Sequence, residues 1–135
     1  LNTYSDTITN VCYSYQSFVE TNGSNSVDWK LGLAACYDTG FEGFEKNKKK
    51  AIKIYSELAE TGNSEAQFWM GKKLMSGSGI TKNTKKAIQN YILSSEQGNP
   101  QSMVELSILH IQGEHLMMDF VKPICGSTYQ FHLQK

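Results

Sequence analysis

Apolar and small residues recur along this chain at helical spacing, in blocks broken by short polar turns that contain glycine. In residues 65–76, Ala66, Met70 and Leu74 lie one helical turn apart and share a face. In residues 48–61 the corresponding stripe is Ala51, Ile52, Tyr55, Leu58 and Ala59, and in 84–97 it is Ala87, Ile88, Tyr91, Ile92 and Ser95. Polar residues fill the remaining faces. The pattern predicts helices at about 8–21, 26–38, 48–61, 65–76, 84–97 and 100–112.

These blocks repeat. Shifting the chain by 36 places Asn47 on Asn83, Lys50-Ala51-Ile52 on Lys86-Ala87-Ile88, Tyr55 on Tyr91, Gly62-Asn63 on Gly98-Asn99 and Gly77 on Gly113. Upstream a shift of 39 puts Gly23 on Gly62, Trp29 on Phe68 and Leu31-Gly32 on Met70-Gly71, so three extra residues fall in a loop between Cys36 and Gly43. Insertion there costs little. A period near three dozen residues is the signature of a stacked array of helix pairs.

Local signals agree with that division. Asn47 and Asn83 precede the second helices, and Asn99 with Pro100 opens the last first-type helix. Ser64 and Gln67 read as an S-x-x-Q capping box. Gly62 and Gly98 stand where a helix end favours a left-handed residue, and Ser76-Gly77-Ser78-Gly79-Ile80 makes a turn carrying one apolar plug. Gly32, Gly71 and Ser107 hold equivalent places in the first helices, small enough to let a neighbouring helix come close. The fold expected is all-α: a right-handed α–α superhelix, or solenoid, of helix pairs about 36 residues long.

At residue level the middle unit resembles a Sel-one-like repeat, a relative of the tetratricopeptide repeat. The resemblance is carried by Ala66, Phe68, Met70-Gly71, Leu74, Gly77, Gly79-Ile80, Lys82-Asn83, Lys86-Ala87 and Tyr91, and it runs from about 8 to 113. Residues 1–25 then read as the second helix of a partial preceding repeat, 26–113 as the repeats, and 114–135 as a divergent cap or a truncated repeat. The resemblance implies a scaffold or adaptor that binds a protein or peptide, without an active site or cofactor. A cysteine-rich, secreted branch of that family is linked to penicillin binding; paired cysteines in each unit are absent here, so a hydrolase of that branch stands as the weakest alternative.

Composition narrows the chemistry. Thirteen basic and thirteen acidic residues cancel, and every basic residue is lysine, so no bidentate guanidinium is present. Nucleic acid is not expected as a partner, although binding of nucleic acid or anionic lipid by lysines is the runner-up reading. No small-molecule substrate is evident, and no apolar run reaches the length of a membrane span. Cys12, Cys36 and Cys125 show no paired motif and are expected as free thiols in a reducing, cytoplasmic setting. The start at Leu1 lacks an initiator Met and the features of a signal peptide, which points to a fragment or processed product.

Candidate sites are few. The glycine-rich turn is not a P-loop, because Lys82 is not adjacent to a glycine. His110, His115, Asp119, Cys125 and His132 match no metal spacing, and His110 falls on a core position. Trp69 stands where neighbouring units carry Lys30 and Glu105, so it is expected on the surface. With Lys30, Leu33, Lys72, Glu105 and Ile108 it defines a groove along successive first helices, where the register turns side chains off the core. Lys48, Lys49, Lys82, Lys85 and Lys86, with Lys46, Lys50, Lys72 and Lys73, cluster near the turn inside each unit as a basic edge. Glu20, Asp28, Glu57, Glu60, Glu65 and Glu96 gather near the opposite turn.

Overall fold

Four asparagines decide where four of the helices begin. In the computed structural model, which describes residues 2–22 and 26–113, the side chains of Asn47, Asn63, Asn83 and Asn99 accept from the backbone N–H of Lys50, Ala66, Lys86 and Ser102 at 3.1, 2.8, 3.0 and 3.1 Å. Each satisfies a donor that the first helical turn leaves without a partner. The elements are α1 (Asn2–Asn22), α2 (Val27–Thr39), α3 (Lys48–Glu60), α4 (Ser64–Ser76), α5 (Thr84–Glu96) and α6 (Pro100–Gln112), with one 3-10 turn at Phe41–Gly43. No strand occurs among the described residues.

Two local expectations need correction. Helix α1 starts at Asn2, earlier than the apolar pattern indicates. Ser64 does not cap α4; it is already helical, and Asn63, in extended backbone at φ −69°, ψ 119°, provides the cap. Gln67 is thereby freed for tertiary work. Its amide donates to the Ala59 carbonyl at 3.4 Å, and its carbonyl accepts from Gln97 Nε2 at 2.8 Å.

The turns repeat their wiring. Between units, the Asn63 N–H returns to the Leu58 carbonyl at 3.1 Å and the Asn99 N–H to the Ser94 carbonyl at 3.3 Å, in the same register. Inside the middle unit Gly77 ends α4 at φ 73°, a left-handed conformation that glycine adopts without steric cost. Its N–H and that of Ser78 both close on the Lys73 carbonyl.

Sequence neighbours are then spatial neighbours: α1 packs on α2, α2 on α3, α3 on α4, α4 on α5 and α5 on α6. The result is an all-α solenoid. Its core holds Leu33, Ala34, Cys36, Tyr37, Phe44, Ala51, Tyr55, Met70, Leu74 and Ala87, with Ile80 packed against it as the turn's apolar plug. Phe44, which follows the longer loop of the first unit, is buried and lies edge-on and tilted against Tyr13 and Tyr37.

Small residues set the closest helix crossings. A Cβ built on Gly71 would lie 2.5 Å from the Tyr91 ring, and one on Gly32 would lie 2.8 Å from the Tyr15 ring. Ser107, third in the series, is exposed.

The expected free thiols are corrected by a disulfide joining Cys12 of α1 to Cys36 of α2. Cys12 occupies the fully buried register of Ala51 and Ala87, so its sulfur is aimed into the packed seam rather than at solvent. Cys125 lies outside the described residues. The bond holds α1 on the stack together with Phe18, stacked on Trp29 at 4.3 Å, and Tyr15, edge-on to the same ring at 5.2 Å. Changing both Cys12 and Cys36 to Ala is expected to cost about 2 kcal/mol, the lower part of the usual range because one terminal helix is tethered. Hydrogen exchange should then accelerate in α1 while α4 and α5 keep their protection; uniform acceleration would show that the bond supports the whole stack.

Candidate interaction surface

The groove expected along the first helices forms only in part. Leu33 does not line it: at 5% exposure it belongs to the core, which corrects the expectation that the register turns it outward. Its counterpart Lys72 is exposed. The same position is occupied differently because an aliphatic side chain gains from burial, whereas an ammonium must reach water.

Lys72 of α4 and Glu105 of α6 are brought together, Nζ to Oε1 at 3.0 Å, as an ion pair bridging successive first helices. With Lys72 largely solvated, the pair fixes position more than it adds stability. Ile108 stands 41% exposed on α6, and Lys30 is half-buried on α2.

Trp69 lies between surface and core. It is half-buried, stacked on Tyr55 at 6.1 Å between ring centroids and edge-on to Phe68 at 5.2 Å. The expectation of a surface tryptophan is thus corrected: one part of the indole packs on α3's buried tyrosine and the rest is open.

Tyr55 and Tyr91 form the floor of the first-helix layer. Burial pushes the Tyr55 phenol well above its ordinary value, and the carboxylates of Asp38 and Glu65 push the same way. Tyr91 is raised likewise, by burial first and then by Glu105. A raised phenol means the folded state holds its proton where the unfolded chain has begun to lose it. Stability from these groups is therefore complete below about pH 10 and declines as pH rises beyond it. Urea melts between about pH 8.5 and 11 should show that decline, and Tyr91→Phe should flatten it; an unchanged slope in the variant would assign the decline to other groups.

Beneath the groove lies a pair that the pattern did not anticipate. Lys73 is 9% exposed, and its ammonium pairs with the Asp38 carboxylate at the end of α2. Lys73 is therefore no member of a basic edge. A signal existed: the counterparts of Lys73 are Ala34 and Leu109, so a lysine there had to find a buried partner.

The other lysines of that edge do reach solvent. Lys49, Lys82, Lys85 and Lys86 are exposed, while Lys48 is half-buried and donates to Ser78 Oγ at 2.8 Å. Lys50 sits over the Tyr37 ring at 5.2 Å. Neither α3 nor α5 has an acidic residue in its first turn. Each lysine there opposes the helix dipole, at some tenths of a kcal/mol. His110 is half-buried on α6, and its fellow candidates His115, Asp119, Cys125 and His132 lie outside the described residues. Among the described residues no group of three metal-ligating side chains forms, and no helix is long and apolar enough to cross a membrane.

The helix pairs, their asparagine caps and the Gly71–Tyr91 crossing invite comparison with known proteins. The Sel1 repeat profile matches residues 26–63 and 64–99. This chain belongs to the Sel1 repeat family. Its fold is similar to a Sel1 repeat protein from Oxalobacter formigenes, with a TM-score of 0.66 and 25% identity over 82% of this chain and 46% of that one. It is also similar to c5321, described as a protective antigen present in uropathogenic Escherichia coli strains and displaying the same repeat fold. There the TM-score is 0.68 and the identity 32%, over 77% of this chain. The chain spans less than half the length of the first of these and 22% of the second. No curated protein sequence matches it. Sel1 repeat proteins are generally protein–protein interaction scaffolds.

Proposed function

We propose that this solenoid is an interaction scaffold that binds a peptide or a helix of a partner protein along its first helices, over Lys30, Trp69, Lys72, Glu105 and Ile108. The observation that carries the reading is Trp69: an indole seated on Tyr55, partly open, beside an ion pair that joins α4 to α6. A tryptophan already fixed on one side loses little freedom on binding, and such anchors dominate interface energetics. Family membership supports the class of partner, and the groove needs no catalytic group. The disulfide supports a further point, that the chain works in an oxidising compartment, where such bonds persist. We also take α1 to be the second helix of a preceding unit, because it packs on α2 as α3 packs on α4.

The test selects random peptides from a display library on the folded protein and measures the survivors by fluorescence anisotropy. Trp69→Ala is expected to weaken them about thirtyfold, roughly 2 kcal/mol. Because Trp69 also touches Tyr55 and Phe68, Lys72→Glu provides a surface variant that leaves packing intact and should weaken binding more modestly. Peptides that bind both variants as tightly as wild type would place the binding face elsewhere.

A further inference from the structure

Two open clefts adjoin along the start of α3. One, of about 700 Å³, lies between Lys46, Lys48 and Lys49 and the turn that links α4 to α5, with Ile80 on its wall. The other, of about 420 Å³, continues along α3 past Ile52 and Lys53. They share Lys49 and Gly79, so they form one groove. Glycine at 79 is what lets the turn lie so close to the helix. A Cβ there would stand 2.8 Å from Lys48 Cβ and 3.4 Å from an Ile52 side-chain carbon. This groove lies on the second-helix side of the unit and shares no residue with the surface around Trp69.

The charge in it is unbalanced. Among the described residues the lysines held in ion pairs are Lys72 and Lys73. Lys46, Lys48, Lys49 and Lys53 have none with those residues, although the chain as a whole carries as many acids as bases. Three consecutive lysines open α3, at the end of a helix where the backbone already presents positive charge. Nothing in local helix stability favours that arrangement. It does favour an anion drawn into the groove, because lysine charges and helix dipole then act together.

What kind of anion follows from the rest of the lining. All the cations are lysines, point charges that attract carboxylate and phosphate alike, so the apolar and acidic lining decides between them. The apolar side chains of Ile52 and Ile80, both partly packed on the core, offer a seat for an aliphatic residue. Glu57 lines the far end of the groove, so a long polyanion following α3 would run into like charge. We propose that this groove is a second docking site, which takes a short acidic segment of a partner protein with its carboxylates on Lys46, Lys48, Lys49 and Lys53 and an aliphatic side chain against Ile52 and Ile80.

The probe is a fluorescein-labelled synthetic peptide of glutamates and aspartates flanking a leucine pair, with a thymidine oligonucleotide of equal charge as comparison. The wild-type chain should bind the peptide with an affinity that falls steeply as salt rises, and more weakly when serines replace the leucines. Changing Lys49 and Lys53 together to Glu should weaken the peptide on the order of tenfold or more. Because both lysines are exposed and an acidic residue at 49 suits the first turn of α3, that variant should stay folded, which circular dichroism checks. Gln101→Glu, exposed on α6 and in neither groove, should leave peptide binding unchanged. Full retention by the Lys49→Glu, Lys53→Glu variant overturns the site. Tighter binding of the oligonucleotide than of the peptide overturns the acidic-segment assignment in favour of a nucleic-acid surface.

Discussion

Replacing Gly71 with leucine is expected to cost about 3 kcal/mol or more and to leave the stack largely unfolded at physiological temperature. Even the first added carbon would lie 2.5 Å from a Tyr91 ring carbon, inside any tolerable contact. Tyr91 is 1% exposed and cannot swing away without opening the α4–α5 seam. Overpacking of a tight core usually costs about 1–3 kcal/mol, and the branched remainder of a leucine has no free volume to enter here. Thermal melts of Gly71→Leu and Lys72→Ala make the comparison, since the adjacent lysine is exposed and should be nearly neutral. A double variant, Gly71→Ala with Tyr91→Leu, should recover part of the loss seen in Gly71→Ala alone, because the clash is with the ring. Similar melting for Gly71→Leu and Lys72→Ala would mean that α4 and α5 do not cross at this residue.

Lys73→Met is expected to be the second severe change, costing about 3–5 kcal/mol. Its side chain and that of Asp38 retain 11% and 15% of their exposure, so water screens the pair weakly. Removing the lysine leaves a carboxylate beside Tyr55, itself buried, with no partner charge. Asp38→Asn should be milder, since an amide can still accept from the ammonium. Changing both, Lys73→Met with Asp38→Leu, should restore most of the stability, because an apolar pair removes the desolvation cost along with the attraction. With Asp38→Leu alone added, chemical denaturation of wild type, the two single variants and the double forms a cycle. If Lys73→Met alone costs under about 1 kcal/mol, the ion pair is solvated and does not join α2 to α4 energetically.

The fold was legible because its determinants are local and repeated. Asn47, Asn83 and Asn99 announce their helices by cap chemistry, and the shift of 36 carries that reading from one unit to the next. Gly32 and Gly71 were readable as close-approach positions for the same reason. What escaped the sequence depends on contacts across units. Leu33 and Lys72 share a register yet part company, and register alone cannot tell a face that is covered from one that is open. Trp69 was read from its polar counterparts as exposed, whereas an indole is long enough to reach Tyr55 from a boundary position. Cys12 and Cys36 sit 24 residues apart with no motif between them, and only the packing of α1 on α2 brings them together. Asp38 and Lys73 were separately visible, but their meeting needed three dimensions.

Among the described residues the ties across units have nearly the same reach. Ser94 to Ser64 and Gln97 to Gln67 span 30 residues, Lys72 to Glu105 spans 33 and Lys73 to Asp38 spans 35. A stack wired this way has no long-range clasp, so tension on its ends meets one seam at a time rather than a sheet that must shear at once. Helices would peel and lengthen in turn, at forces set by single seams. The segment from Cys12 to Cys36 is the exception, since its covalent closure removes that loop from the length a pull can release. The described stack is therefore mechanically lopsided: a closed segment between Cys12 and Cys36 that cannot lengthen, and a yielding series of helices from α3 onward.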